Sequence, residues 1–157
     1  CESLNYQCQL AEIYIAEKKY DEALDVVKKV LEKNENYITA YSIGAKSAFA
    51  KGDFATAKDF AQNAISLDMN YASGYFYLAM VRFSENDFDE AIECMKRAIL
   101  YDLNNPKYYT KMSEFYKAKK DYKTALEYIA EAESIDDSNE YKYMYSELVK
   151  LSRKVNN

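Results

Sequence analysis

The chain has 157 residues, a formal net charge of −5 and 30% charged residues, and none of its apolar stretches is long enough to cross a membrane. The sequence contains no histidine, which removes the usual general base and the commonest metal ligand, and its acidic charge disfavours binding to nucleic acid. The three cysteines, Cys1, Cys8 and Cys94, lack the close spacing of a disulfide framework or a zinc site. We therefore expect a cytoplasmic protein that is not an enzyme and holds no metal or cofactor.

The first helical pattern begins at Leu4, and from there the chain repeats itself every 34 residues without an insertion. One series of small residues marks the period: Ala23, Ala57, Ala91 and Ala125. A second series lies upstream: Ala11, Ala45, Ala79 and Ser113. Tyrosines keep the same spacing at Tyr41, Tyr75, Tyr109 and Tyr143. Several series in one register over four copies predict an array of stacked helical units.

Each copy of the repeat contains two helical patterns, which in the second copy run over about 38–50 and 55–67. The segment Lys51-Gly52-Asp53 separates them. We expect Gly52 to end the first helix in the left-handed conformation and Asp53 to cap the second. Asn86-Asp87 repeats this chemistry, and Pro106 stands at the first turn of a helix. With a last helix after the fourth copy, the sequence predicts nine helices and no strands.

The last helix is predicted over 140–155. Its apolar residues follow a helical stripe: Tyr141, Met144, Leu148, Leu151 and Val155. Such a stripe predicts a helix that covers the last repeat as a cap. The alternative is a seam between two copies of the chain.

The 34-residue unit, with small, aromatic and small residues at these intervals, resembles the tetratricopeptide repeat family. The resemblance covers four units, 4–37, 38–71, 72–105 and 106–139. The family's early Trp is replaced by Tyr or, in the first unit, by Gln7, and its proline near the end of each unit by Glu35, Met69, Leu103 and Asp137. The resemblance implies an all-α fold, a right-handed superhelical solenoid of antiparallel helix pairs that forms one domain over 1–157.

The resemblance also implies a concave groove, lined by one stripe of the first helices, in which a peptide or a partner helix binds. The apolar candidates on this stripe are Phe49, Phe76, Met80 and Phe83, and the basic ones are Lys46, Lys107, Lys111 and Lys117. Apolar anchors with a charged rim suit a peptide that has bulky apolar residues near acidic ones. The alternative is that these side chains only tighten the packing between units.

Some members of the family hold the carboxylate of a chaperone tail with a clamp of lysine, asparagine and arginine side chains. Lys107 and Lys111 resemble the last pair of this clamp. However, Ser42, Lys46 and Tyr77 stand at its other positions. The full clamp is therefore absent, and a chaperone tail is not expected as the ligand.

A second class of function remains open, a scaffold that assembles with copies of itself. Tyr6, Leu10 and Ile13 form an apolar front face on the first helix, and such a face usually marks an interface. The front face predicts either further repeats before Cys1 or contact with another chain, and the terminal helix is the alternative route to a homo-oligomer. A chain that begins with Cys1 could also be a membrane-anchored lipoprotein.

Overall fold

The computed structural model describes residues 3–155, so Cys1 lies outside the described part. Within this range the chain forms nine α-helices and no strand, as the sequence predicts. The helices are α1 Leu4–Ala16, α2 Tyr20–Lys33, α3 Ile38–Lys51, α4 Phe54–Leu67, α5 Ala72–Ser84, α6 Phe88–Tyr101, α7 Pro106–Ala118, α8 Tyr122–Ile135 and α9 Asn139–Val155.

The helices form four consecutive pairs, which begin at Leu4, Ile38, Ala72 and Pro106. The two helices of a pair pack against each other, and the second helix of each pair also contacts the first helix of the next pair or, at the end, α9. One pair cannot bury its apolar side alone, and stacking the next pair covers it. The result is a solenoid of helix pairs.

The turn inside each pair contains one residue in the left-handed conformation. These residues are Lys18, Gly52, Asn86 and Lys120, with φ of 60°, 89°, 64° and 63°. The prediction for Gly52 is confirmed. In the other three pairs the residue in this conformation has a Cβ. The conformation costs free energy at Lys18 and Lys120, whereas asparagine, as at Asn86, tolerates it. Each of the three later pairs also has an aspartate whose side chain caps the second helix, at Asp53, Asp87 and Asp121.

Small residues let the two helices of a pair approach each other closely. All four alanines of the first small series are fully buried, and so are the three alanines of the second. In the fourth pair, the Ser113 hydroxyl donates a 2.8 Å hydrogen bond to the carbonyl oxygen of Ala125 on the facing helix. This bond joins the two small series directly.

Tyrosine hydroxyls hold the turns between successive pairs. Tyr41, Tyr75 and Tyr109 donate to the carbonyl oxygens of Glu35, Met69 and Leu103 at 2.9, 3.1 and 3.0 Å. These three acceptors are the residues at which the resemblance leads one to expect a proline. The hydrogen bond fixes the turn from the side chain, where proline would restrict it through the backbone.

α9 packs against α8 as a cap. Leu148 is buried with Ala125 and Ile129, and Tyr141 and Met144 pack at the edge of this cluster. The side chain of Val155 lies outside the described part. Tyr143 continues the tyrosine series but remains exposed.

Candidate functional site

A pocket lies on the face formed by the first helices of the four pairs. Its volume is about 260 Å³, and the residues that line it come from α1, α3, α5 and α7. They are Ile15, Lys46, Phe49, Ala50, Phe76, Tyr77, Met80, Lys107 and Lys111. Because all four first helices contribute to one pocket, this face is concave at its centre.

The structure brings six of the eight candidate residues together in this pocket. Ile15, Ala50 and Tyr77 also line it, although they were not among the candidates. Burial raises the pKa of Tyr77. Ile15 occupies the same repeat position as Phe49, which is the signal that identifies it.

Phe76 forms the floor of the pocket rather than an open anchor. Its ring stacks on Tyr108 with 5.1 Å between centroids and meets the edge of Tyr77 at 5.0 Å, and the residue is only 4% exposed. Little of this ring is therefore available as an anchor for a ligand. The cause is Tyr108, which stands where the two preceding repeats have Ala40 and Gly74 and therefore reaches the ring from α7.

Lys107 lies over this floor. Its ammonium is 4.7 Å from the centre of the Phe76 ring, a cation–π geometry. Partial burial of the ammonium, followed by the nearby charges of Lys46 and Lys111, lowers the pKa of Lys107. Among the described residues no carboxylate forms an ion pair with it. The Lys107 ammonium is therefore not in ion-pair contact with a carboxylate, although Glu12, which pairs with Lys46, is near enough to act on its pKa in the raising direction.

The other two lysines of the pocket have acidic partners. Lys46 donates to Glu12 at 2.5 Å, across the interface between α3 and α1. Lys111 contacts Glu114 at 2.8 Å, one turn away on the same helix. Both pairs remain partly solvent-exposed, so either lysine can exchange its partner for another anion at little cost.

Phe83 and Lys117 do not line this pocket. The Phe83 ring stacks on Phe115, with 4.5 Å between centroids, and so packs between α5 and α7. Lys117 lines a different cavity of about 430 Å³ between α7 and α9. That cavity is bounded by Ser113, Glu114, Lys117, Tyr143, Met144, Glu147, Leu148 and Leu151, and sequence reasoning missed it.

Two observations concern other classes of site. In residues 3–155, no helix combines the length and the apolar character needed to span a membrane. The described residues also contain no cluster of three or more side chains suited to hold a metal ion.

The family comparison identifies the repeat. Two family models described as "Tetratricopeptide repeat" match the chain, one at residues 48–115 and the other at residues 4–37 and 106–139. Together the matches span 4–37 and 48–139. The comparison with curated proteins gives no match.

Several solved structures share the fold. A thermophilic TPR protein of Thermus thermophilus, TTC0263, superposes with a TM-score of 0.87 at 17% identity, over 94% of this chain and 82% of that one. MamA superposes with a TM-score of 0.68 at 22% identity, over 92% and 91%. The first TPR of Spaghetti (RPAP3) bound to the HSP90 peptide SRMEEVD has a TM-score of 0.67 at 21% identity, over 74% and 93%. At these identities the similarity shows the fold alone.

Proposed function

Because the chain belongs to the tetratricopeptide repeat family, whose repeats generally mediate protein–protein interactions, we propose that it binds a short peptide segment in the concave pocket between its first helices. The observation that carries the proposal is the Lys107 ammonium, which lies over the Phe76 ring with no carboxylate of the described residues in ion-pair contact. An unpaired cation beside an apolar wall favours a ligand that brings both an anion and an apolar side chain.

The chemistry of the pocket defines the ligand. Ile15, Phe49 and Met80 offer an apolar lining for one bulky aliphatic or aromatic side chain. Lys107, with Lys46 and Lys111 beside it, suits an acidic side chain next to that residue. The TPR in the RPAP3 structure is bound to a peptide with acidic residues, SRMEEVD, which supports the proposal that this fold can bind such a ligand.

The proposal can be tested by selecting peptides for binding to the wild-type protein from a displayed random library. The affinity of the selected peptides is then measured by fluorescence anisotropy. We expect them to combine a bulky apolar residue with a neighbouring Asp or Glu. Lys107→Gln and Met80→Ala should each weaken binding by about tenfold, or about 1.4 kcal/mol, as loss of a central anchor does.

Lys117→Gln provides the matched control, since this lysine belongs to the same stripe of α7 but lies outside the pocket. It should leave the affinity unchanged. Phe76 is unsuitable for the test because it is buried, and its truncation would damage packing. If the selected peptides bind Lys107→Gln and Met80→Ala as tightly as wild type, with both variants folded, the pocket is not the binding site.

A second candidate function is a scaffold that self-associates through the front face of α1. Tyr6 and Ile13 are 61% and 54% exposed there, whereas the residues at the position of Ile13 in the later repeats, Ser47, Val81 and Phe115, are fully buried. In the later repeats the preceding pair covers this face. Sedimentation of wild type and of Tyr6→Ser/Ile13→Ser over a concentration series tests the idea, which fails if the two proteins sediment alike.

A further inference from the structure

A second exposed apolar surface lies at the turns between helix pairs, away from the concave pocket. Five side chains form it, and we call it the turn-edge ridge: Leu67, Met69, Leu100, Tyr101 and Leu103. Met69, Leu100 and Leu103 are 73%, 64% and 59% exposed. Met69 and Leu103 stand at one repeat position and Leu67 and Tyr101 at another, so the second repeat supplies two side chains of the ridge and the third supplies three.

A buried tyrosine connects the two halves of the ridge beneath the surface. The Tyr75 hydroxyl donates to the carbonyl oxygen of Met69, and the Tyr75 ring lies 5.6 Å from the ring of Tyr101. One side chain thus connects the turn after α4 with the end of α6. Exposed apolar side chains that form one contiguous patch mark an interaction surface, whereas isolated ones do not.

The charges along the same edge indicate what covers the ridge. In the first repeat, residues 28–36 carry three lysines and two glutamates. In the fourth repeat, the equivalent residues 130–138 carry four carboxylates and no cation. In the second repeat, residues 62–70 carry only Asp68. In the third, residues 96–104 carry Lys96 and Arg97 against Asp102. The net charge of the edge therefore alternates from repeat to repeat as positive, negative, positive and strongly negative.

We propose that the turn-edge ridge is the interface of a homodimer in which two copies of this chain pair antiparallel about a two-fold axis. The axis passes between the second and third repeats, so the two halves of the ridge cover each other. This pairing sets the positive first repeat toward the strongly negative fourth repeat, and the negative second repeat toward the positive third. A parallel pairing would set like charges together at every repeat. Opposite charges on approaching surfaces favour association and select the orientation.

The dimer is reversible, because five apolar side chains supply only part of the roughly 800 Å² that each partner buries in a stable interface. It is also sensitive to salt, because its charges lie at the surface. The interface leaves the concave pocket open, so dimerisation and the proposed peptide binding are independent.

The experiment measures the dimer dissociation constant by sedimentation equilibrium, from micromolar to near-millimolar protein, at low and high salt. Met69→Ser/Leu103→Ser should weaken the wild-type dimer by about tenfold or more, because two-fold symmetry removes each side chain twice. Both side chains are exposed, so the fold should survive, which circular dichroism can check. Tyr6→Ser/Ile13→Ser removes two exposed apolar side chains from the front face of α1, the rival interface, and should leave the dimer unchanged if the ridge forms it.

Charge reversal tests the antiparallel orientation. Lys29→Glu/Lys33→Glu makes the first repeat negative, and Glu131→Lys/Glu133→Lys/Asp136→Lys makes the fourth positive, so each variant alone should weaken the dimer at low salt. Both reversals in one chain should restore it, because opposite charges then meet again. A wild-type chain that stays monomeric at every concentration overturns the proposal. It is equally overturned if the α1 variant, and not the ridge variant, dissociates the dimer, or if the combined reversal fails to restore association.

Discussion

Replacing Ala91 by leucine tests the close approach of the two helices within a pair. Ala91 on α6 is fully buried, as is Ala79 on α5, and both belong to the same core cluster. At the equivalent positions of the next pair, Ser113 and Ala125 are joined by a hydrogen bond of 2.8 Å. The surfaces of the two helices are therefore already in contact, and no space remains for a longer side chain.

Leucine adds three carbon atoms at a fully buried position between two packed helices, so the helices must move apart or the side chain must leave its preferred rotamer. Overpacking of this kind costs about 1–3 kcal/mol. For a chain of this size, each kcal/mol lowers the melting temperature by roughly 2–4 °C. We expect Ala91→Leu to lower the melting temperature by about 2–12 °C, with the helical content of the folded state unchanged.

Thermal unfolding followed by circular dichroism, together with urea unfolding, gives both quantities. Ala130→Leu is the matched control, because Ala130 lies on α8 with its side chain exposed, and this substitution should change stability by no more than about 0.5 kcal/mol. A melting temperature of Ala91→Leu equal to that of wild type would refute the close approach.

Two further predictions concern the turns. Lys120 holds the left-handed conformation at φ 63°, so Lys120→Gly should raise the free energy of unfolding by about 0.5–1 kcal/mol in urea unfolding. Gly52 has a φ of 89°, and a Cβ added there would meet no heavy atom within 4 Å. Gly52→Ala should therefore lower the free energy of unfolding by about 1 kcal/mol through backbone strain alone. The opposite sign for either substitution would contradict the strain argument. Tyr75→Phe removes the hydroxyl that donates to the Met69 carbonyl oxygen and should cost about 0.5–1.5 kcal/mol. Tyr143→Phe, in the same series but exposed, should cost nothing measurable, and equal effects of the two would show that the hydroxyl does not hold the turn.

The sequence was sufficient to predict the helices, because some helix ends carry a chemical signal and the repeat carries those signals to the other copies. Gly52 marks the end of a first helix, and Pro106 marks the start of another. The 34-residue period then predicted the remaining helix pairs, since a residue whose role is clear in one copy has the same role 34 positions later. The buried alanines follow the same logic, because a small residue at every copy of one position indicates contact between helices.

The floor of the pocket could not be predicted in this way. The exposure of Phe76 depends on the size of Tyr108, which belongs to another repeat and another position. The residue pattern along a single helix contains no information about a side chain that the next helix pair contributes to the same site. The ion pair between Glu12 and Lys46 could have been predicted from the sequence, because the two residues stand at one position in adjacent repeats and the first helices of adjacent repeats lie side by side.

The pocket is assembled from four first helices, so its shape depends on the rotation of each helix pair relative to the next. That rotation is set at the turns, where Tyr41, Tyr75 and Tyr109 hold backbone carbonyl oxygens through their hydroxyls. A proline in these turns would restrict one backbone angle of its own residue, whereas the tyrosine hydrogen bond joins two successive elements and can open without breaking either helix. These three side-chain hydrogen bonds therefore contribute to the geometry of the solenoid at its turns. Because those bonds lie outside the pocket, a change at a turn can alter the spacing of Lys46, Lys107 and Lys111 without replacing any residue that lines it.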